Sequence, residues 1–468
     1  MAQVDTPMRS ARQRTPRSLR RAVVSGMAGT AIEFYDFFLY GSAAATVFNT
    51  VFFPDRSPLV GALLALVTYA VGFVARPVGG LLFGHFGDRV GRKRVLMISL
   101  LMMGCSTLLI AAIPSYATIG VAAPILLTLC RLTQGLALGG EWGGAVLLIT
   151  EHGDRERRGF WASCGQAGGP LGSLLSTAVL WIMASAMSNE AFTAWGWRLP
   201  FALSAVLIVV SYYLRRSVEE SPLYQQAAER RTEQPKSPLG TVLRQHRKAV
   251  LLALFACIGE KATYYAFGIF GLTYLVETVG VPKADVLNAL TIGSVFWFVT
   301  IIAAGRLSDI IGRRATTLIG VVLAAVWVPV GFLWMGNGHH SVIIVVMTVG
   351  LIADGIITGG TSAFFAELFP TEVRYSGASL GYQTATVLGG SVAPLLGVGL
   401  LAATGSVVPI LIFVVAMLAL TATAMFWAGE TKGRDLTAIP VPATATAAEA
   451  PAPGPAPRTK TAERQSHE

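Results

Sequence analysis

Gly84-His85-Phe86-Gly87-Asp88-Arg89-Val90-Gly91-Arg92-Lys93-Arg94 stands between two long apolar stretches. These eleven residues hold four basic side chains, one acid and three glycines. A shorter version returns as Gly305-Arg306-Leu307-Ser308-Asp309-Ile310-Ile311-Gly312-Arg313-Arg314. Gly84 matches Gly305, Asp88 matches Asp309, Gly91 matches Gly312 and Arg92 matches Arg313. The offset is 221 residues, close to half of the 468-residue chain. A second pair agrees with the first. Glu151, Glu156 and Arg158 recur 216 residues later as Glu367, Glu372 and Arg374. Two motif pairs at nearly one offset predict a duplicated chain whose halves are parallel repeats.

Composition names the solvent. The chain is 53% hydrophobic and 13% charged, where a soluble domain is nearer a quarter charged. The 50 glycines suit close packing between membrane helices. A net charge of +10 could suit nucleic acid, but the basic residues cluster in short loops beside apolar runs, so no nucleic-acid partner is expected. Cys105, Cys130, Cys164 and Cys257 lie in apolar segments with no Cys/His cluster, and read as small packing residues.

Residues 1–22 form a basic, polar start. Apolar segments follow at about 23–48, 59–84, 95–113, 118–150, 159–187 and 197–215. After a polar linker at 216–248 come six more, at about 249–278, 287–304, 316–335, 341–366, 377–403 and 406–428. Most reach the roughly 20 residues that cross a bilayer as helix. The first apolar run carries Glu33 and Asp36 and lacks a cleavage site, so it reads as a retained helix. The expectation is an all-α membrane protein of twelve spans, with six-helix bundles at 23–215 and 249–430 and a disordered Ala/Pro-rich tail over 431–468. Alternating the loops puts 30 of the 36 basic residues on one side and two, Arg56 and Lys283, on the other. That asymmetry places both termini in the cytoplasm.

Charges inside a bilayer are costly and mark function. Glu33 lies about ten residues into the first helix, hence roughly 15 Å deep. Glu33, Asp36 and Tyr40 share one helical face. Two carboxylates in low dielectric repel and hold protons, so they are proton-site candidates, with a permanent tie to an Arg as the plain alternative. Arg131, Gln134 and Glu141 sit on the fourth helix. Arg131 either grips a substrate carboxylate or pairs with Glu33 or Asp36 until they protonate. In the second half Glu260, Lys261, Tyr264 and Tyr265 lie mid-helix. Adjacent Glu260 and Lys261 point about 100° apart, so one is expected to face a neighbouring helix. Lys261 is either a substrate ligand or the partner of Asp354. Tyr382 and Gln383 are further wall candidates, while Trp297 and Phe296 read as packing. Arg76 beside Pro77 reads plainly as a side chain snorkelling to the interface.

Twelve helices, duplicated halves and the G-x-x-x-D-x-x-G-R-R/K loop resemble the major facilitator superfamily. Glu33-Phe34-Tyr35-Asp36-Phe37, Arg76-Pro77, Arg131-Leu132-Thr133-Gln134-Gly135 through Gly139-Gly140-Glu141, and the run from Ala366 to Ala378 resemble its metabolite:proton symporter family. The resemblance implies coupling through the helix-one acids with Arg131 and Glu141. It also implies cytoplasmic gates built from Asp88, Arg92, Glu151 and Arg158 and from Asp309, Arg313, Glu367 and Arg374. Gly165-x-x-x-Gly169-Pro170 partly resembles the signature of proton-antiport exporters. No Walker loop, GxSxG or HExxH is present, so no enzyme and no cofactor are expected. The expectation is proton-coupled uptake of a small organic acid across the cell's inner membrane by a monomer, with a zwitterion such as proline or betaine as runner-up.

Overall fold

The computed structural model describes residues 16–90, 92–139, 155–216, 242, 244–370 and 373–434. Of these, the side chains of 16–22, 25, 81, 84–90, 92–96, 155, 211, 212, 214–216 and 375 lie outside the description. The basic start, most of the linker and the tail are outside it too.

Among the described residues, twelve long helices carry the chain back and forth. They are α1 (Pro16–Thr46), α2 (Pro58–Val90), α3 (Arg92–Ala112), α4 (Ala122–Gly139), α5 (Arg158–Ala186) and α6 (Arg198–Arg216). The second six are α7 (Arg247–Val279), α8 (Lys283–Ile311), α9 (Arg313–Met335), α10 (His340–Leu368), α11 (Arg374–Ala385 running on through Val392–Thr404) and α12 (Val408–Ala428). Among the described residues nine helices are apolar and long enough to cross a bilayer alone, and α6 joins them as a pair bent by 45° at Trp197. The Met97–Ala112 part of α3 is shorter, and α1 carries Glu33 and Asp36.

The helix breaks have local causes. Pro170 lacks an N–H and leaves the Gln166 carbonyl without its helical partner, so α5 is interrupted at Ala167 between Arg158–Gln166 and Gly168–Ala186. α7 widens into π turns at Ala266–Phe270 and Leu275–Val279, and α11 does so at Thr386–Ser391. Such widened turns gather at functional sites. Between α8 and α9 the backbone turns at Gly312 with φ 102, a conformation only glycine adopts freely.

Close packing rests on glycine. A methyl on Gly135 of α4 would collide with the Gly72 carbonyl of α2, and one on Gly139 with the Arg76 carbonyl. Without a hydrophobic force between helices in lipid, such small-residue contacts let backbones meet. The two halves face each other along two seams, α5 against α8 and α2 against α11.

Candidate functional site

A cavity lies where the seams meet. Phe34 and Phe38 of α1 and Gln166, Gly169 and Pro170 of α5 close it from the first half. The second half supplies Glu260, Lys261, Tyr264 and Tyr265 of α7, with Trp297, Ile301, Thr358 and Tyr382. It holds only ≈ 30 Å³ of water-fillable space, about one water's share. Ligand sites measure roughly 300–1,000 Å³, so this is a collapsed state that must widen to take a substrate.

The wall is aromatic with one charged corner. Tyr264 stacks on Trp297 with ring centres 4.5 Å apart, and Phe38 lies 4.8 Å from Tyr264. The Tyr264 hydroxyl is 3.3 Å from Ser173 Oγ across the seam. Lys261 Nζ donates to Glu260 Oε1 at 2.8 Å and to the Tyr382 hydroxyl at 2.9 Å. Three expectations change here. Lys261 pairs with its neighbour Glu260 rather than with Asp354. Glu260 and Lys261 both line the cavity, because the long lysine stem bends the ammonium back to the carboxylate. Trp297 is wall rather than packing, while Phe296 is 48% exposed on the lipid side. Asp354 is fully buried, with Thr358 Oγ1 at a long 3.5 Å from Oδ2 and no described partner for Oδ1. Gln383 is buried beside Tyr382 but off the cavity wall. Gly389 and Gly390 in the widened turn of α11 let that helix press on Lys261 and Tyr265.

A second polar chain runs inside the first half. Arg131 Nη1 donates to Gln134 Oε1 at 2.9 Å, Gln134 Nε2 to Thr107 Oγ1 at 2.7 Å, and Thr107 Oγ1 to Asp36 Oδ2 at 2.9 Å. All four residues are buried. Arg131 therefore reaches Asp36 through two neutral side chains, not by the direct pairing weighed above. Its guanidinium lies over the rings of Phe37 (4.2 Å), Tyr40 (4.4 Å) and Tyr69 (4.7 Å). Gly72 leaves room for it, since a methyl there would sit 2.8 Å from Arg131 Nε. Tyr40 bonds to Thr68 Oγ1 at 2.5 Å and belongs to this chain's surroundings, away from the cavity. Glu33 is buried and acts electrostatically on Arg76. Arg76 does not snorkel: it is 2% exposed, held over Phe37 and Phe73. Sequence spacing could not show that, because the two rings come from different helices. Glu141 lies outside the described residues.

At the basic end of the bundle the second-half motif forms a buried charge cluster. Arg313 donates to Asp309 Oδ1 at 2.7 Å and to Glu367 through Nη2 at 3.1 Å and Nε at 3.3 Å. Arg158, from the first half, reaches Glu367 Oε1 at 3.4 Å. Asp309 crosses the seam as well. Its two oxygens accept the backbone N–H groups of Gly159 (2.8 Å) and Phe160 (2.9 Å) at the start of α5. A carboxylate there meets the free N–H groups and positive end of that helix. Arg374 Nε bonds the Phe369 carbonyl at 3.2 Å, bracing the turn after α10. The side chains of Asp88 and Arg92, and all of Glu151, are outside the description.

Sequence reasoning missed the short segment that follows α12. Glu430 accepts from the backbone of Arg313 (3.0 Å) and Arg314 (3.2 Å), and so caps α9. Thr431 Oγ1 donates to Glu367 Oε2 at 2.7 Å, and the Arg434 carbonyl accepts from Arg158 at 3.2 Å. The Glu430-Thr431-Lys432 run after an apolar helix, with Gly433 behind it, was the available signal.

The Major Facilitator Superfamily model matches residues 26–394 and 262–462. An inner membrane metabolite transport protein of Escherichia coli strain K12 is 39% identical over 429 residues, 90% of this chain and 96% of that one. The shikimate transporter of the same strain is 38% identical over 385 residues, 82% of this chain and 88% of that one. A proline/betaine transporter of Salmonella typhimurium strain LT2 is 33% identical over 388 residues, 80% of this chain and 76% of that one. Among solved structures, the proton:xylose symporter XylE bound to 6-bromo-6-deoxy-D-glucose superposes with a TM-score of 0.68 at 19% identity, covering 90% of this chain and 98% of that one.

Proposed function

We propose that this chain, which belongs to the major facilitator superfamily, is a proton-coupled importer of a small organic acid. Its relatives are transporters and not enzymes, and it is a multi-pass membrane transporter like them. The substrate occupies the widened cavity between the halves. The observation that carries coupling is the buried chain Asp36–Thr107–Gln134–Arg131. A carboxylate buried in the membrane, with a cation two side chains away, is a group whose charge changes on protonation and whose neighbours feel it. The basic end faces the cytoplasm in this reading, as the loop charges require. Proton entry then draws on the membrane potential, about 2.3 kcal/mol per charge per 100 mV. The domains act as two six-helix bundles, at 23–215 and 249–430, rocking about the site as a monomer.

A second reading of the substrate has its own support. The Tyr264–Trp297 stack and Phe38 give faces that attract quaternary ammonium, and one relative is a proline/betaine transporter. Uptake of shikimate and of glycine betaine into proteoliposomes, with and without an imposed inward proton gradient, tests both. Gradient-driven accumulation of shikimate is expected, and Asp36→Asn should abolish it while sparing exchange across equal concentrations. Uptake indifferent to the gradient, or uphill uptake surviving in Asp36→Asn, ends the coupling assignment.

A further inference from the structure

Three basic side chains are buried in the middle of the bundle: Arg76, Arg131 and Lys261. Two of them have polar partners. The ammonium of Lys261 is met by Glu260 at 2.8 Å, and Arg131 donates through Nη1 to Gln134, which leads through Thr107 to Asp36, although its Nε and Nη2 have no hydrogen-bond partner among the described residues. Arg76 belongs to neither network. Its Nε and Nη2 have no hydrogen-bond partner among the described residues, and none of the ion pairs there includes it. What holds it is aromatic: Phe37 at 4.2 Å and Phe73 at 4.8 Å from the guanidinium carbon. Rings steady a cation but do not use its N–H donors.

The position points to the substrate. The Arg76 guanidinium lies 4.8 Å from the Phe73 ring, Phe73 meets Tyr265, and Tyr265 lines the cavity, so Arg76 stands behind the cavity wall. The partition is thin. It is the edge-to-face contact of Phe73 and Tyr265, with ring centres 5.5 Å apart. Gly390, in the widened turn of α11, abuts both rings. A turn of Tyr265 as the cavity widens would open Arg76 to it.

We propose that Arg76 is the receptor for the substrate's carboxylate, reached past Tyr265 when the cavity expands. A guanidinium fork matches a carboxylate in two parallel bonds, and a bound anion would satisfy both the idle donors and the unpaired charge. Buried Glu33 of α1 contributes a favourable field at the guanidinium between substrates. The assignment rests on the organic-acid reading above, and it divides labour within α1, α2 and α4: Arg76 takes substrate, whereas Arg131 answers Asp36.

The test compares acids with their esters, which lack the charge. Binding of shikimate and methyl shikimate, and of succinate and dimethyl succinate, is titrated on the full-length protein in detergent by its tryptophan fluorescence. The wild type should prefer one acid over its ester by at least about 30-fold, the cost of leaving a charged donor pair unmet. In Arg76→Gln that preference should fall below about 3-fold. Arg76→Lys, which keeps the charge and loses the fork, should retain an intermediate preference. Should Arg76→Gln prove too unstable to purify, Arg76→Lys still decides. A preference unchanged in either variant, or binding of neither acid to the wild type, overturns the proposal. Gradient-independent uptake, by contrast, would end the proton coupling and leave an Arg76-dependent acid preference standing.

Discussion

Asp309→Asn should open the basic end of the bundle. Asp309 is the side chain of the second half that grips the first half's backbone, with Gly159 N at 2.8 Å and Phe160 N at 2.9 Å. An amide keeps one acceptor, so the bonds from Gly159 and Arg313 to Oδ1 survive. The other position becomes a donor and faces the Phe160 N–H. Leaving a buried N–H unmet costs about 1–3 kcal/mol, and removing the negative charge from a helix N-terminus costs about 0.3–2 kcal/mol. These contacts exist only while the seam is closed, so about 3 kcal/mol shifts the closed-to-open ratio on the order of 100-fold. A reporter is built in. Cys164 lies one turn beyond Phe160 on α5, in a small apolar cluster that also takes in Ile302 of α8, so the same seam covers it. With Cys105, Cys130 and Cys257 replaced by Ser, the rate of maleimide labelling at Cys164 should rise at least tenfold in Asp309→Asn. Cys257 is buried within the second half, and kept as the single cysteine it reports general loosening. Cys164 labelling within threefold of the parent, or Cys257 accelerating in parallel, refutes the assignment of Asp309 as a latch across the seam.

Two further substitutions test packing and capping. Gly135→Ala pushes a methyl into the Gly72 carbonyl and should destabilise by about 1–3 kcal/mol, whereas Gly399→Ala in α11 meets nothing within 4 Å and should be neutral or slightly stabilising, by the helix propensity of Ala; thermal melts in detergent compare them. Glu430→Gln should cost about 1 kcal/mol as a lost cap of α9. Burial pushes the Glu430 carboxyl up, but four backbone N–H groups outweigh that and hold it below its usual range. A depressed carboxyl stabilises above its unfolded pKa and loses that contribution as pH falls through the folded value. The melting difference between wild type and Glu430→Gln should therefore be full at pH 7, begin to shrink below about pH 4, near the ordinary carboxyl value, and vanish only below the depressed folded value. A difference that does not shrink at all between pH 5 and pH 3 would show that the bonds, not the charge, matter.

The sequence carried the fold because each signal was local and repeated. Apolar runs give the helices, and the Asp309 and Glu367 motifs mark one end of the bundle in chain order. The partners of buried charges were not local. Helical geometry sets the Glu260 and Lys261 side chains about 100° apart, which ignores how far a lysine stem can fold back, so Asp354 stood as the candidate partner of Lys261. Arg76 read as a snorkelling side chain because depth along one helix says nothing about Phe37 on another. Gln134 and Thr107 stand between Arg131 and Asp36 because α3 brings a hydroxyl to the gap, and no spacing along α1 or α4 records where α3 passes. The residues after α12 were invisible for a different reason. They carry few apolar side chains, and their worth comes from backbone N–H groups of α9 that any sequence would offer.

How a proton could bear on the substrate follows from the two faces of α1. Asp36 and Tyr40 point into the first half, to Thr107 and Thr68, while Phe34 and Phe38 line the cavity. Phe37, between them in sequence, has two guanidinium groups each 4.2 Å from its ring centre, from Arg76 and from Arg131. Two cations over one ring repel through it, and each depends on a different anion for relief. In the proposed cycle Glu33 and Asp36, both ionised, balance Arg76 and Arg131 in the empty carrier. Protonating Asp36 without substrate would leave one positive charge unbalanced. Binding substrate while Asp36 stays ionised would leave one extra negative charge. The states of lowest electrostatic cost are then the empty carrier with Asp36 ionised and the loaded carrier with Asp36 protonated. Those are the two states a symporter must carry across, and the preference arises from the shared ring without any direct contact between Asp36 and the substrate.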